Sequence, residues 1–220
     1  MCGRFTLTVD PSDLQMMLEL GELPPKMQPH YNIAPTQPVA VVTSAQDRKV
    51  EMFQWGLIPA WSKDPSMGSR MINARAETLH EKPAYRVPFA RKRCLILADG
   101  FFEWQQLEKG KRPFYIQLKS REPFAFAGLW DHWSSPEGEE KRTCTIITCE
   151  PNELMAELHN RMPVILDRSS MWDWLDPQAE TLALRAMLVP YAGPMMAYPV
   201  SRLVNKPDKD VPECIEPETK

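Results

Sequence analysis

The second residue of the chain is a cysteine, and this position can give it two neighbouring nucleophiles. The small side chain of Cys2 favours removal of Met1, which leaves an α-amine and a thiol on one residue. Their reference pKa values, about 7.7–8.0 and about 8.5, make both groups partly nucleophilic near neutral pH. An aldehyde can condense with the amine, and the thiol can then close a five-membered thiazolidine ring. Alternatively, the amine can act as general base for the thiol, as in N-terminal-nucleophile hydrolases.

Two further positions could assist proton transfer. In the segment 99–104, Glu103 lies between aromatic residues at the start of a predicted strand. Alternation places Phe101 and Glu103 on one face, and apolar neighbours raise the pKa of a carboxyl group. Glu103 is therefore a candidate general acid, with an exposed strand carboxylate as the competing interpretation. His159 follows a predicted helix, and a histidine there can shuttle protons.

Charge is distributed unevenly along the chain. A net charge of −3 over 220 residues excludes a strongly basic nucleic-acid-binding protein by overall charge alone. Residues 70–93 nevertheless contain seven cations and only two anions. Arginines near an exposed aromatic such as Trp61 suit single-stranded nucleic acid, whose phosphates need positive charge and whose bases stack. A solvated basic surface without a ligand is the alternative.

The elements that must position these residues are mainly strands. The 22 prolines disfavour long helices. Alternation predicts strands at 3–9, 38–43, 50–55, 93–98, 101–107, 113–118, 122–130 and 143–148. Short helices are predicted at 10–20, 169–175 and 177–188, an irregular segment at 21–37 and a long loop at 56–73. This pattern predicts one α+β domain over 1–220, mainly antiparallel strands forming a barrel-like or two-sheet core with short peripheral helices. Residues 205–220 are expected to form an extended tail.

Several other classes of protein are disfavoured. We find no apolar run long enough to span a membrane and no secretory signal. The five cysteines include no C-x-x-C pair, which favours a reducing cytoplasm, and Cys94, Cys144 and Cys149 are predicted to be small buried apolar residues. No metal-ligand spacing and no glycine-rich phosphate loop occur, so we expect neither a metal nor a cofactor.

Seven segments resemble, in order, the SOS response-associated peptidase family, also called abasic-site-processing proteins. The matching segments are 1–5, 31–35, 55–59, 72–78, 93–104, 159–166 and 199–205. Each segment alone is a weak match, but their order along nearly the whole chain makes the resemblance specific.

The resemblance implies covalent capture of abasic sites in single-stranded DNA, where the ring-opened sugar presents an aldehyde. In that reading Cys2 forms a thiazolidine by a lyase-type reaction, after autocatalytic, peptidase-type removal of Met1. Glu103 is implied to be the acid and base for both steps, His159 to assist proton transfer, and Asn73 to position Cys2. The residues implied to contact DNA are Arg4, Asn32, Pro35, Trp61, Arg75, Thr148 and Arg161.

Such a protein would act in the DNA-damage (SOS) response as a cytoplasmic monomer that is nucleoid-associated when bound to DNA. The replication machinery is then a candidate partner, and a membrane is not. Two other functions stay open on the residues alone. An N-terminal-cysteine amidohydrolase would also begin Met-Cys-Gly, although Arg4 stands where an apolar residue is expected and no glycine-rich oxyanion segment occurs. A non-covalent reader of damaged or modified DNA would bind without using Cys2.

Overall fold

The computed structural model describes residues 2–218. Within them, the strands are β1 Arg4–Leu7, β2 His30–Ile33, β3 Pro38–Val42, β4 Val50–Trp55, β5 Asn73–Arg75, β6 Arg93–Ala98, β7 Gly100–Gln106, β8 Lys111–Leu118, β9 Phe124–Ser134, β10 Glu140–Cys149, β11 Met162–Pro163, β12 Ile165–Leu166 and β13 Met195–Pro199. The α-helices are α1 Pro11–Met17, α2 Pro83–Arg91, α3 Glu153–Ala156, α4 Met171–Trp174 and α5 Thr181–Ala186. Short 3-10 helices lie at Pro65–Arg70, Ala76–Thr78, Arg202–Asn205 and Pro212–Cys214.

One sheet closes on itself. Its strands follow the order β10–β4–β3–β6–β9, and the long hairpin pairing of β9 with β10 completes the ring. Pairing is antiparallel around the ring except between β4 and β10, which run parallel. Strand β5 also pairs in parallel with β10, beyond the end of β4. A closed ring leaves fewer unpaired edges than an open sheet, and here it fixes β5 against β10.

The second sheet has the order β13–β8–β7–β1–β2 and is antiparallel throughout. Aromatic contacts join it to the closed sheet, with ring centroids of Phe5 and Trp55 5.1 Å apart and those of Phe101 and Phe126 6.1 Å apart. Phe5 of β1 and Phe101 of β7 are fully buried and face the interior. Alternate side chains of a strand share one face, so these residues mark the inner face of the second sheet. The core therefore lies between β1 and β7 on one side and the closed sheet on the other.

This architecture confirms the predicted α+β class with mainly antiparallel strands and short helices. The cysteines predicted to be buried, Cys94, Cys144 and Cys149, are 0%, 0% and 3% exposed. Among the described residues, no helix is long and apolar enough to cross a membrane.

Several elements were missed by the sequence analysis, among them β2, α2 and β13. Strand β2 lies in the segment predicted to be irregular. Its own sequence does not indicate a strand, and pairing with β1 stabilises the extended conformation. Helix α2 begins at Pro83 and contains Pro88, a residue that normally argues against a helix interior. Strand β13 is held by its pairing with β8. In each case a tertiary partner decides the local conformation.

The C-terminal segment is more closely packed than an extended surface tail. Cys214 is fully buried, and the Asp210 carboxylate accepts hydrogen bonds from the backbone N–H groups of Tyr31 and Asn32 at 2.5 and 2.9 Å. The segment therefore packs against β2, the edge strand of the second sheet.

Candidate functional site

Cys2 lies immediately before β1 and is completely buried. Its thiol donates to the carbonyl oxygen of Arg4 over 3.7 Å. Burial, and secondarily the negative charge of Glu103, raises the pKa of the Cys2 thiol well above its usual range. The thiol is therefore protonated in this arrangement, and a neighbouring base must take its proton before it can act as a nucleophile.

Glu103 reaches the same place from β7. Arg4 pairs with Phe102, so the antiparallel register carries the chain before β1 alongside the residues after Phe102. Glu103 is only 2% exposed, and burial raises the pKa of its carboxyl group, while the electrostatic interaction with His159 acts in the opposite direction. A carboxyl group with a raised pKa retains its proton at higher pH and can donate it to a reacting group.

Asn73 connects Cys2 to the closed sheet. Its Nδ2 donates to the carbonyl oxygen of Cys2 at 2.8 Å. Strand β5 places Asn73 opposite Ile146 of β10, and the hydroxyl of Tyr85 donates to the Asn73 carbonyl at 3.3 Å. The side-chain Oδ1 of Asn73 is buried and accepts no hydrogen bond from the described residues. One acceptor in the site is therefore available to a ligand.

The side chain of His159 is oriented by the backbone of Arg161. The N–H of Arg161 donates to Nδ1 of His159 at 3.0 Å. Because Nδ1 accepts, the neutral imidazole carries its proton on Nε2. Together with its charge interaction with Glu103, this orientation makes His159 a candidate for proton transfer in the site.

Arg75 and Arg161 line a cleft of about 650 Å³ that also includes His159. Arg75 is exposed, whereas Arg161 is largely buried and donates to both carboxylate oxygens of Glu77 and to the Thr148 carbonyl oxygen. Arg161 lowers the pKa of the Glu77 carboxyl group through these hydrogen bonds. The cleft thus holds one exposed cation and one whose charge is paired internally.

Thr148, which the resemblance implies to contact DNA, lies in the interior beside the cleft. It is fully buried on β10, opposite Arg75, and its hydroxyl donates to the carbonyl oxygen of Ala74 at 3.4 Å. Its side chain therefore connects β10 to β5, while its carbonyl oxygen holds Arg161.

Asn32, which the resemblance also implies to contact DNA, is held by internal partners. It is 1% exposed, and its Nδ2 donates to the carbonyl oxygens of Val204, Lys206 and Lys209. Its Oδ1 accepts from Arg4 at 2.9 Å. Asn32 thus organises the C-terminal segment and helps to orient Arg4, and its amide is fully occupied by these contacts.

Trp61 stands on the loop after β4 and is 61% exposed. The loop is fixed on both sides of it: the N–H of Ala60 donates to Asp131 at 2.8 Å, and the indole of Trp133 donates to the Ser62 carbonyl at 2.7 Å. Asp131 is itself buried and paired with Lys92 at 2.6 Å. A rigid loop therefore presents a large exposed aromatic side chain, which is suited to stacking.

Other predicted positions are divided between surface and interior. Pro35 is partly buried in the turn between β2 and β3. Within the basic stretch 70–93, Arg93 is 7% exposed and donates to backbone carbonyl oxygens, including that of Trp174 at 2.8 Å. The basic stretch is therefore only partly a surface available to a ligand.

The sequence analysis missed three residues that shape the site: Glu77, Asp131 and Trp133. Glu77 stands in the matched segment 72–78, so its proximity to the site could have been inferred. Asp131 and Trp133 alternate on β9, but no sequence signal indicates that they hold the Trp61 loop, about 71 residues away along the chain.

Comparisons with known proteins agree on one family. The family model described as SOS response associated peptidase matches residues 1–207. Abasic site processing protein YoqW of Bacillus subtilis is 47% identical over 98% of this chain and 99% of its own length. Abasic site processing protein HMCES of Gallus gallus is 34% identical over 87% of this chain and 67% of its own. A crystal structure of a protein from Bacteroides thetaiotaomicron superposes with a TM-score of 0.89 at 27% identity, covering 99% of this chain and all of that one. The chain belongs to the SOS response-associated peptidase family.

Proposed function

We propose that this protein processes abasic sites in DNA, and that it captures them in single-stranded DNA as a thiazolidine on Cys2. Relatives at 46–47% identity carry the name abasic site processing protein. The observation that carries the proposal is the arrangement around Cys2: its carbonyl oxygen is held by Asn73, and its thiol is close enough to Glu103 for the carboxylate to raise its pKa.

The reaction needs a free α-amine, so it begins with hydrolysis of the Met1–Cys2 peptide bond. In this proposal Glu103 assists the attack of water. The product amine and thiol are one carbon apart, which makes the later ring closure intramolecular and entropically favourable.

The first covalent step joins the amine of Cys2 to the aldehyde carbon of the ring-opened sugar. The carbinolamine that forms loses its hydroxyl group as water, and protonated Glu103 supplies the proton for this departure. A protonated imine (iminium ion) and a Glu103 carboxylate remain. His159, oriented through Nδ1, moves protons between this pair and solvent.

The second step uses the carboxylate that the first step produced. It takes the proton of the Cys2 thiol, and sulfur adds to the iminium carbon, so that the electron pair of the C=N bond returns to nitrogen, which keeps its own proton as a neutral secondary amine. The raised pKa of the thiol gives this base a definite role, because the buried thiol does not ionise without one. The sugar carbon ends bonded to both nitrogen and sulfur, which removes the aldehyde that promotes strand breakage by β-elimination.

The test uses C-terminally tagged protein, intact-mass measurement of Met1 loss, and single-stranded DNA containing one abasic site. Wild-type protein is expected to give a heat- and denaturant-stable adduct with the combined mass minus one water. Cys2→Ala, which keeps an amine but no thiol, is expected to give only an imine that requires borohydride for trapping. Cys149→Ala is the matched control, because Cys149 is also buried but makes no contact with Glu103 that the proposal uses.

Two outcomes contradict the proposal. A processed wild-type protein that yields no stable adduct excludes covalent capture. A stable adduct of Cys2→Ala without borohydride shows that sulfur is not part of the product. Glutamine hydrolysis without any adduct would instead indicate an amidohydrolase.

A further inference from the structure

A second cleft, of about 470 Å³, lies on the face of β7 opposite to that of Glu103. Trp104 lines it, and alternation along β7 puts Trp104 with Phe102, away from Phe101 and Glu103. Arg4 pairs with Phe102 in register and therefore points to the same face. Through β1 and β7 this cleft neighbours the reaction centre at Cys2 and Glu103. It shares no lining residue with the Arg75–Arg161 cleft.

Positive charge dominates the lining of this cleft. Arg4, Lys109, Lys111 and Arg202 contribute four cations from three separate parts of the chain: β1, the end of the β7–β8 hairpin, where Lys109 lies in the turn and Lys111 begins β8, and the 3-10 helix Arg202–Asn205. Within residues 2–218, none of the four forms an ion pair with a carboxylate, although the chain has an acidic net charge. Like charges gathered without a counter-charge repel one another, which favours binding of an anion between them.

Hydrogen bonds hold the floor and the rim of the cleft in place. The guanidinium of Arg4 donates to two neutral oxygens, Oδ1 of Asn32 and the carbonyl of Val204, so neither of these partners offsets its positive charge. The Trp104 indole donates to Oδ1 of Asn205 at 2.7 Å, which fixes an aromatic plane beside the cations. Sites for single-stranded nucleic acid combine two features: cations along the path of the phosphate backbone, and aromatic rings on which bases stack. The cleft has both.

We infer that this cleft binds the phosphodiester backbone of the captured strand on one side of the abasic nucleotide, through Lys109, Lys111 and Arg202. The inference rests on the proposed function for the identity of the strand. Arg4 joins the two sites, since it is two residues from Cys2 and also lines the cleft. The strand then continues from Cys2 past Arg4 toward the β7–β8 turn, while the Arg75–Arg161 cleft is left for the other side.

The test measures equilibrium binding of Cys2→Ala protein to oligonucleotides whose abasic site is a tetrahydrofuran analogue without an aldehyde, so that neither a thiazolidine nor an imine can form. The paired substitution Lys109→Ala with Lys111→Ala is compared with Lys26→Ala with Lys119→Ala, which removes two exposed charges outside the cleft. Abasic oligonucleotides are shortened stepwise from the 5′ end or from the 3′ end. The Lys109/Lys111 variant is expected to bind the long oligonucleotide roughly tenfold more weakly, with a salt dependence shallower by about 1.4 in log–log slope for two lost contacts.

Shortening one end, and only that end, is expected to abolish the difference between this variant and the control. Equal affinity of both variants for every oligonucleotide overturns the inference, as does a defect that persists whichever end is shortened. Weakened binding of an acidic peptide, with DNA binding intact, would assign the cleft to a protein partner and also overturns it. These binding measurements do not depend on adduct formation. If the wild type forms no adduct, the proposed chemistry is contradicted, but the inference about this cleft is not.

Discussion

Both terminal nitrogens of Arg161 are held by the carboxylate of Glu77, at 2.6 and 2.9 Å. An arginine in this state must exchange a carboxylate for a phosphate before it can hold DNA. Arg161 is only 16% exposed and Glu77 49%, so the pair is accessible from one side. In the proposed function, Glu77 therefore competes with a DNA phosphate for Arg161.

Replacing Glu77 by Gln is expected to tighten binding of single-stranded DNA several-fold. The substitution removes a competing negative charge, while the pair itself contributes only about 0–1 kcal/mol to stability because Glu77 faces solvent. Affinity should be measured with the Cys2→Ala background as a function of salt. Glu150→Gln, which changes a carboxylate lining the same cleft, is the control. Weaker binding of Glu77→Gln would show that the pair positions Arg161 instead of competing for it.

Asn73→Ala is expected to slow adduct formation about fivefold or more, the equivalent of roughly 1 kcal/mol for a lost neutral hydrogen bond to the Cys2 carbonyl. Without that bond the residue that carries the amine is less firmly oriented. Single-turnover rates at saturating DNA separate this effect from affinity. Asn160→Ala is the matched amide control, since Asn160 is exposed in the neighbouring cleft. An unchanged rate for Asn73→Ala would remove Asn73 from the positioning role.

Glu103→Gln is expected to be more stable than the wild type near neutral pH and equally stable at low pH. Burial raises the pKa of the Glu103 carboxyl group above the usual value of 4.5. The unfolded chain therefore releases this proton first, and stability falls as pH rises through about 4.5 until the folded pKa is passed. Urea unfolding at several pH values measures the difference, with Glu108→Gln as the exposed control. A difference that grows toward low pH would contradict this assignment.

The loop that presents Trp61 allows stability and binding to be separated. Trp61→Ala is expected to weaken DNA binding by about 1–3 kcal/mol, the contribution of one stacked base, and to leave stability unchanged because the ring is exposed. Asp131→Ala should weaken binding similarly and also cost up to about 3 kcal/mol of stability, the low end for a buried ion pair, because the side chain of its partner Lys92 is 31% exposed. Leu182→Ala, another exposed apolar residue, is the control. Normal affinity of Asp131→Ala would show that the loop does not need this anchor.

The sequence predicted the local structure near Glu103 well, because a strand with aromatic neighbours has one regular alternation. It placed Phe101 and Glu103 together, and both face the interior. Asn32 shows where such reasoning ends. Its three carbonyl partners lie 172 to 177 residues further along the chain, and nothing local indicates that the C-terminal segment returns to β2.

The same distinction applies to the arginines. A count of charges in residues 70–93 predicts a basic surface, but burial decides which cations are free to bind a ligand. Arg75 is exposed, whereas Arg93 donates its guanidinium to backbone carbonyl oxygens. Charge patterns identify a class of ligand, and only the packing of α2 and α4 against β6 removes Arg93 from the candidates.

The contact between Asn73 and Cys2 spans 71 residues, and that between Arg4 and Val204 spans 200. Contacts between residues so far apart in sequence form late, because the entropy cost of closing a long loop comes before the stabilising contact is made. A chain emerging from the ribosome, or one partly unfolded by stress, therefore has its N-terminal cysteine without the acid and the amide that act on it. Because the proposed hydrolysis of the Met1–Cys2 bond uses Glu103, exposure of the reactive amine is in this way tied to completion of the fold.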